Sequence, residues 1–377
     1  MDRTKYIGMD VPKEAITIAV LNSSGKLVME SLVETKAATI PEFIRGLRGE
    51  LQVTLEEGTW AAWLYDLLRP PVAQLIVCNP RKNALLKSGH KSDRMDARKL
   101  AELLRNGSLS AVYHGENGPR TLRELSRSYL TVSKDLARVM NRLKALYRSG
   151  GIACAGAKVY APQHRSEWLS KITEAGGRCR AEFICQQLDG LHALRQAVRR
   201  DLLVESRKHG ATKLLRQIPS IGPIRAAVLI ARRQTPDRFR TKRQLWADSG
   251  LAIETRSRGE YRYAEGPLRR SQKPVALRGL HKNHNHDLKW IFQSAAVRAS
   301  SCAGPLHEFY EALLAKGMKP ALARLTGARK MATIPWIVWK KGARFDAEHL
   351  KQQAAGASRI ESPCDPPDHL RRCPSGS

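Results

Sequence analysis

The sequence predicts an α/β domain, then a helical coiled-coil middle, then a mostly α-helical third region. Three observations carry that expectation. Through about residue 110, short β-branched runs alternate with apolar helical stretches. From residue 121 the apolar spacing switches to a heptad. Beyond residue 211, helical patterns resume around a turn rich in Pro and Gly. The divisions fall at 1–115, 116–210 and 211–350. Residues 351–377 form a tail rich in Ser, Pro, Gly and Ala, expected to be disordered.

In the first region "KYIGMDV" and "AITIAVLN" read as strands, "SSGK" (23–26) as a hairpin turn and "LVMESLVET" as a returning third strand. "TIPEFIRGLRG" follows as a helix with Thr39 as its cap, and "LQVTLEE" as a buried strand. "GTWAAWLYDLLRP" is an apolar helix stopped by Pro70 and Pro71, and "AQLIVCNP" a fifth strand ended by Pro80. A three-strand meander followed by βαβ units makes a mixed sheet carrying helices.

In the middle, Leu122, Leu125, Tyr129, Val132, Leu136, Val139, Leu143 and Leu146 step by three and four, and Gly150 and Gly151 end the run. A less regular stretch (Ile184, Leu188, Leu191, Val198, Leu202) follows, interrupted by Arg195. An antiparallel hairpin and a dimerising coiled coil both satisfy that pattern. In the third region "LLRQIPSIGPIRAAVLIA" has the shape helix, Pro/Gly turn, helix. Its turn would offer backbone N–H groups, with Ser220, Gly222 and Arg225, to a phosphate.

The chain of 377 residues holds 65 Lys and Arg against 35 Asp and Glu, a net charge of +30. Like charges crowd at a free-energy cost, so an excess this widespread calls for a polyanion, and nucleic acid is the commonest. Seven cysteines without paired CxxC spacing argue against a disulfide framework or a zinc ribbon and for a reducing cytosol. The N-terminus has no apolar signal core, and no apolar run approaches the roughly 18 residues of a membrane span. The expectation is a soluble, cytoplasmic, nucleoid-associated bacterial protein.

Four acids stand out in this basic setting. Asp10 ends the strand "YIGMD", and Glu56, with Glu57 beside it, ends "LQVTLEE". Asp93 and Asp96 lie three apart in "KSDRMDARKLAELL", on one helical face. Carboxylates from two strand ends and one helix face are the oxygen donors that Mg²⁺ ions need for phosphoryl chemistry. Each acid taken singly also reads as a surface ion-pair partner, and Arg94 and Arg98 are the local candidates.

These segments resemble a family. "YIGMDVPKEAITIAVLNSSGKLV", "LEEGTWAAWLYDLL", "VCNPRKNALLKSGHKSDRMDARKLAELL" and "IPSIGPIRAAVLIA", in that order, resemble transposases of the insertion-sequence 110 class, relatives of Piv-type DNA invertases. The resemblance runs from about Tyr6 to about residue 346. It implies a RuvC-like, RNase H-type N-terminal domain whose acidic tetrad falls on Asp10, Glu56, Asp93 and Asp96, with Glu57 the fallback for Glu56. It also implies a C-terminal transposase domain whose serine forms a covalent phosphoserine with DNA. That nucleophile aligns with Ser257 or with Arg258 in "TRSRGEYRY". At Ser257 a hydroxyl stands between two guanidiniums, Arg256 and Arg258, where a phosphate would be met. Donor and target DNA follow as partners, with a homo-oligomeric assembly. A structured guide RNA, used by some members, rests on the resemblance alone.

His281, His284 and His286 in "RGLHKNHNHDLKW" invite a metal reading. They lack a fourth ligand at a sensible spacing, and a basic helix start contacting the nucleic-acid backbone, with Arg278 and Lys282, fits better. Trp60, Trp63, Trp246 and Trp290 read as core residues. Three rivals to a transposase remain: a site-specific invertase, a metal-dependent junction nuclease, and a remnant that binds nucleic acid without cutting it.

Overall fold

The computed structural model describes residues 4–80, 92–112, 120–256, 261–263, 268–270 and 276–348. The chain divides into two compact units, 1–116 and 117–377.

In the first unit β1 (Thr4–Asp10), β2 (Ala15–Asn22), β3 (Leu27–Glu34), β4 (Glu50–Glu56) and β5 (Gln74–Cys78) form one sheet in the order β3-β2-β1-β4-β5. The meander pairs antiparallel, whereas β1–β4 and β4–β5 are parallel. Gly25 at φ +82° closes the hairpin between β2 and β3, where Asn22 Oδ1 accepts the Lys26 N–H. Parallel strands need crossovers, supplied by α1 (Thr39–Gly46) and α2 (Ala61–Leu68). Ile7, Met9, Val53 and Leu55 pack with Ile40, Ile44, Leu64 and Leu68 of these helices, a core on one sheet face. Thr39 does not cap α1: it is the first helical residue, and its hydroxyl donates to the carbonyls of Glu34 and Lys36.

α3 (Asp93–Arg105) buries Ala97, Leu100, Ala101 and Leu104. Gly8 lets it approach the sheet, since a Cβ there would stand 2.1 Å from the Ala97 carbonyl oxygen and 2.5 Å from the Ala101 nitrogen. Side chains alternate along a strand, so α3 lies on the face opposite Ile7 and Met9.

The second unit opens with α4 (Arg120–Ser149) and, after the short α5 (Arg165–Ser170), α6 (Ala175–Arg207). Leu143 and Tyr147 pack with Ala181 and Cys185, while Leu122 shares a core with Leu202. The two long helices therefore run antiparallel as an intrachain hairpin. Ser126 and Tyr147 are buried, while the expected seam residues Leu125 and Leu146 are half-buried, as a 3.6-residue helix drifts from a strict heptad. Arg195 is answered across the seam by the Tyr129 hydroxyl and Ser133 Oγ, both at 3.1 Å.

The hairpin's base shares its core with α7 (Ala211–Leu215), α8 (Pro223–Arg233), α9 (Lys242–Asp248), α10 (His286–Ser301), α11 (Pro305–Ala315) and α12 (Pro320–Lys341). Between α9 and α10 lie four short strands the sequence did not suggest. β6 (Ile253–Arg256) pairs with β9 (Ala276–Leu280), and β7 (Tyr261–Tyr263) with β8 (Leu268–Arg270), both antiparallel. Among the tryptophans, Trp246 is held in the packing, its indole N–H donating to Thr333 Oγ1. Trp60 and Trp290 are not core residues. Trp60 caps α2, 38% exposed and edge-on to Trp63, and Trp290 stands 47% exposed on the outside of α10.

Candidate active site

Asp10 and Glu56 are the last residues of neighbouring parallel strands. Met9 pairs with Leu55, so the two acids follow in register at the sheet's C-terminal edge, on strands roughly 4.8 Å apart. Gly8 pairs with Thr54, and alternation then puts Asp10 and Glu56 on the face that α3 covers. Glu57, one residue on, is exposed, and its N–H donates to the Cys78 carbonyl.

Three contacts fix the direction of α3. Its C-terminal Arg105 donates to the Ser23 carbonyl beside Gly25, at the end of the sheet where β1 begins. Its middle meets Gly8. Arg98 forms a two-pronged pair with Glu30, with Nη2 to Oε2 at 2.7 Å, and Glu30 pairs through Ala19 to the level of Gly8. The helix therefore runs antiparallel to β1. Its first residue, Asp93, reaches the level of Asp10, because the four helical residues from Ala97 rise about 6 Å and the two strand residues from Gly8 about 6.6 Å, and Asp96 lies one residue from Ala97. Both acid pairs thus lie at one edge of the sheet.

The first turn suits acids. Ser92 Oγ accepts the Met95 N–H as N-cap, and the positive end of the helix dipole favours carboxylates there. Asp93 is exposed and Asp96 half-buried. Among the described residues neither takes part in an ion pair, and Arg98, one of the two local candidates, is engaged elsewhere. The Arg98 guanidinium serves Glu30 and holds that carboxyl below the usual glutamate range. Among the described residues no three His, Cys, Asp or Glu side chains close into a metal cage. Asp10 and Glu56 end on the sheet face that α3 covers, the four carboxylates do not gather into such a cage, and their all-oxygen donor chemistry is that which a hard divalent cation takes.

In the second unit the predicted residues scatter. Ser257 and Arg258 lie outside the described residues. Arg256 and Arg278 sit on the paired strands β6 and β9, and Lys282 is exposed in the loop that follows. The histidines form no metal site among the described residues. His284 instead packs its ring over Gly250, where a Cβ would fall 2.4 Å from it, and Nδ1 lies 2.7 Å from the His281 carbonyl. Burial pushes the His284 pKa down.

The Pro/Gly turn borders a cleft of about 500 Å³ that holds Ser220, Gly222 and Arg225, as expected, and adds Arg216, Gln217 and Arg298. Arg225 also braces the turn: Nη1 donates to the Ser220 carbonyl at 3.0 Å and Nε to Ser294 Oγ at 3.1 Å. Arg216 and Arg298, 82 positions apart, had no motif to flag them.

The DEDD-type IS110 transposase model matches residues 7–149, and the model described as "Transposase IS116/IS110/IS902 family" matches residues 212–311. The chain is 28% identical over 179 residues to the transposase for insertion sequence element IS1533 of Leptospira borgpetersenii; the match covers 46% of this chain and 51%, about half, of that protein. It is 23% identical over 357 residues to "Putative transposase y4qE" of Sinorhizobium fredii, covering 89% of this chain and 88% of that one. Among the described residues no helix is long and apolar enough to cross a membrane. Two models of one family match along more than half of its length, and the chain belongs to the IS110 family of transposases.

Proposed function

We propose that the protein cuts and rejoins DNA as an insertion-sequence transposase. In this reading Asp10, Glu56, Asp93 and Asp96 hold divalent metal, Mg²⁺, in a RuvC-like unit, and Ser257 is the nucleophile. The observation that supports it most is the antiparallel run of α3 over Gly8, which carries Asp93 and Asp96 to the edge where Asp10 and Glu56 end. The strand order β3-β2-β1-β4-β5 and the matched DEDD-type model favour the same reading.

When bound, the cation supplies charge neutralisation at the scissile phosphate and lowers the pKa of an attacking hydroxyl. The chain's own residues do the rest. Ser257 Oγ forms a bond to phosphorus, the bond from phosphorus to one deoxyribose oxygen breaks, and that oxygen leaves as a hydroxyl, so one proton passes from serine to sugar. Ser220, Gly222, Arg225, Arg256, Arg258, Arg278 and Lys282 are the backbone-binding residues of this reading. Donor and target DNA are its substrates. A guide RNA and a dimeric or tetrameric assembly belong to it on the family resemblance.

Strand cleavage of DNA carrying the element's ends tests it. Cleavage should require a divalent cation and disappear in Asp10→Asn with binding retained. Equal cleavage by wild type and Asp10→Asn would refute the acidic site.

A further inference from the structure

We infer that the cleft beside the Pro/Gly turn is a binding site for a backbone phosphate of nucleic acid, with Arg216 and Arg298 as the contacting cations and Arg225 as the residue that shapes it. The inference rests on the nucleic-acid reading above and adds two residues and a location to it.

Some arginines of this unit are matched by acids, Arg165 with Asp189 at 2.6 Å, Arg232 with Asp287 at 2.6 Å and Arg238 with Asp248 at 3.5 Å, whereas Arg195 meets only Tyr129 and Ser133 among the described residues. The cleft gathers three arginines into one concave site. Arg216, Arg225 and Arg298 line it without an acid among its lining residues, and none of the three has an ion pair among the described residues. Arg225 is half-buried, and burial together with the neighbouring Arg298 charge pushes its pKa down. Like charges held together in a concave site repel unless an anion comes between them.

The shape matches the charge. Arg225 is fixed by hydrogen bonds to both walls, Ser220 on the turn and Ser294 on α10, so it sets the cleft's width. Ser220 adopts φ +67°, a left-handed conformation unusual outside glycine. Strain of this kind persists where surrounding structure enforces it. Gly222 is the N-cap of α8 and Pro223 its first residue, so the helix dipole points its positive end at the same space. Arg216 and Arg298 are exposed and long enough to fold onto an entering group. The Gln217 amide and Ser220 hydroxyl add neutral donors, suited to a phosphate's several acceptor oxygens. No aromatic side chain lines the cleft, so it offers nothing for a base to stack on. It would read backbone, not sequence.

The test is equilibrium binding of the full chain to duplex DNA and, separately, to a structured RNA, over a series of salt concentrations. Two double variants are compared with wild type. Arg216→Gln/Arg298→Gln empties the cleft of its free cations. Arg127→Gln/Arg138→Gln removes two charges from α4 that Glu124 and Asp135 already neutralise. The cleft variant should keep the wild-type melting temperature. Its slope of log affinity against log salt should be shallower by about one for each phosphate lost, whereas the helix variant keeps the full slope. A change confined to DNA assigns the site to DNA, and one confined to RNA assigns it to RNA. Wild-type slope and affinity in the cleft variant on both ligands would overturn the inference while leaving the transposase reading standing. Absence of binding by wild type at any salt would overturn both.

Discussion

The main chain of Ala97 lies directly against the bare α-carbon of Gly8, so close that a methyl group there would fall 2.1 Å from the Ala97 carbonyl oxygen. That contact places α3 at the height where its first turn meets the ends of β1 and β4. Gly8→Ala should lift the helix from the sheet. Overpacking of a well-filled contact costs about 1–3 kcal/mol, and backbone against backbone leaves no side chain to yield. Thermal melting should show the loss, with strand cleavage falling further than stability because the acids move with the helix. A variant with unchanged melting would mean the packing of α3 is looser than described.

Arg98 offers a separate check on what its motif's arginines do. Its guanidinium depresses the Glu30 pKa, so the pair's stabilisation is present above the ordinary glutamate pKa and fades as pH falls through the lower, folded value. Arg98→Gln should melt below wild type at neutral pH, and the gap should close in acid. Its response to divalent cations should stay intact. Loss of that response would assign Arg98 to the acid pair instead.

How much of this was readable in the residues differs by element. The five strands of the first unit announce themselves by β-branched runs between turn residues, and the long helices by their apolar period. The edge acids were legible because strands end where Pro and Gly intervene. The four strands between α9 and α10 were not, since "ETR", "YRY" and "LRR" are short and arginine-rich, and pairing partners supply what propensity does not. Nor could a sequence show that Gly8 is a contact point rather than a turn. Arg233 reads as one more surface cation, yet it is fully buried against Phe239 and Trp339, and burial brings its pKa down to about 9.

The helical hairpin rests on Leu136 and Leu143, 5% and 0% exposed. Leu136→Asp with Leu143→Asp would bury two unpaired charges in the seam between α4 and α6. The cost should exceed about 3 kcal/mol and appear as lost helicity on melting. Unchanged helicity would contradict the packing.

Ser257→Ala tests the proposed nucleophile apart from the proposed metal site. The variant should bind DNA and respond to Mg²⁺ as wild type does, yet give no covalent adduct on a denaturing gel after incubation with DNA carrying the element's ends. An adduct that persists would place the nucleophile elsewhere.

The proposal that the two acid pairs hold divalent metal together is tested most directly by thermal melting with and without Mg²⁺. A ligand that binds only the folded state adds about 2.7 kcal/mol at a hundredfold excess over its dissociation constant. Wild type should rise in melting temperature with Mg²⁺, and Asp10→Asn and Asp96→Asn, one from each pair, should both lose most of that rise. An equal rise in all three proteins would show that Asp10 and Asp96 hold no common ion, and the account of the sheet edge as a metal site would fail.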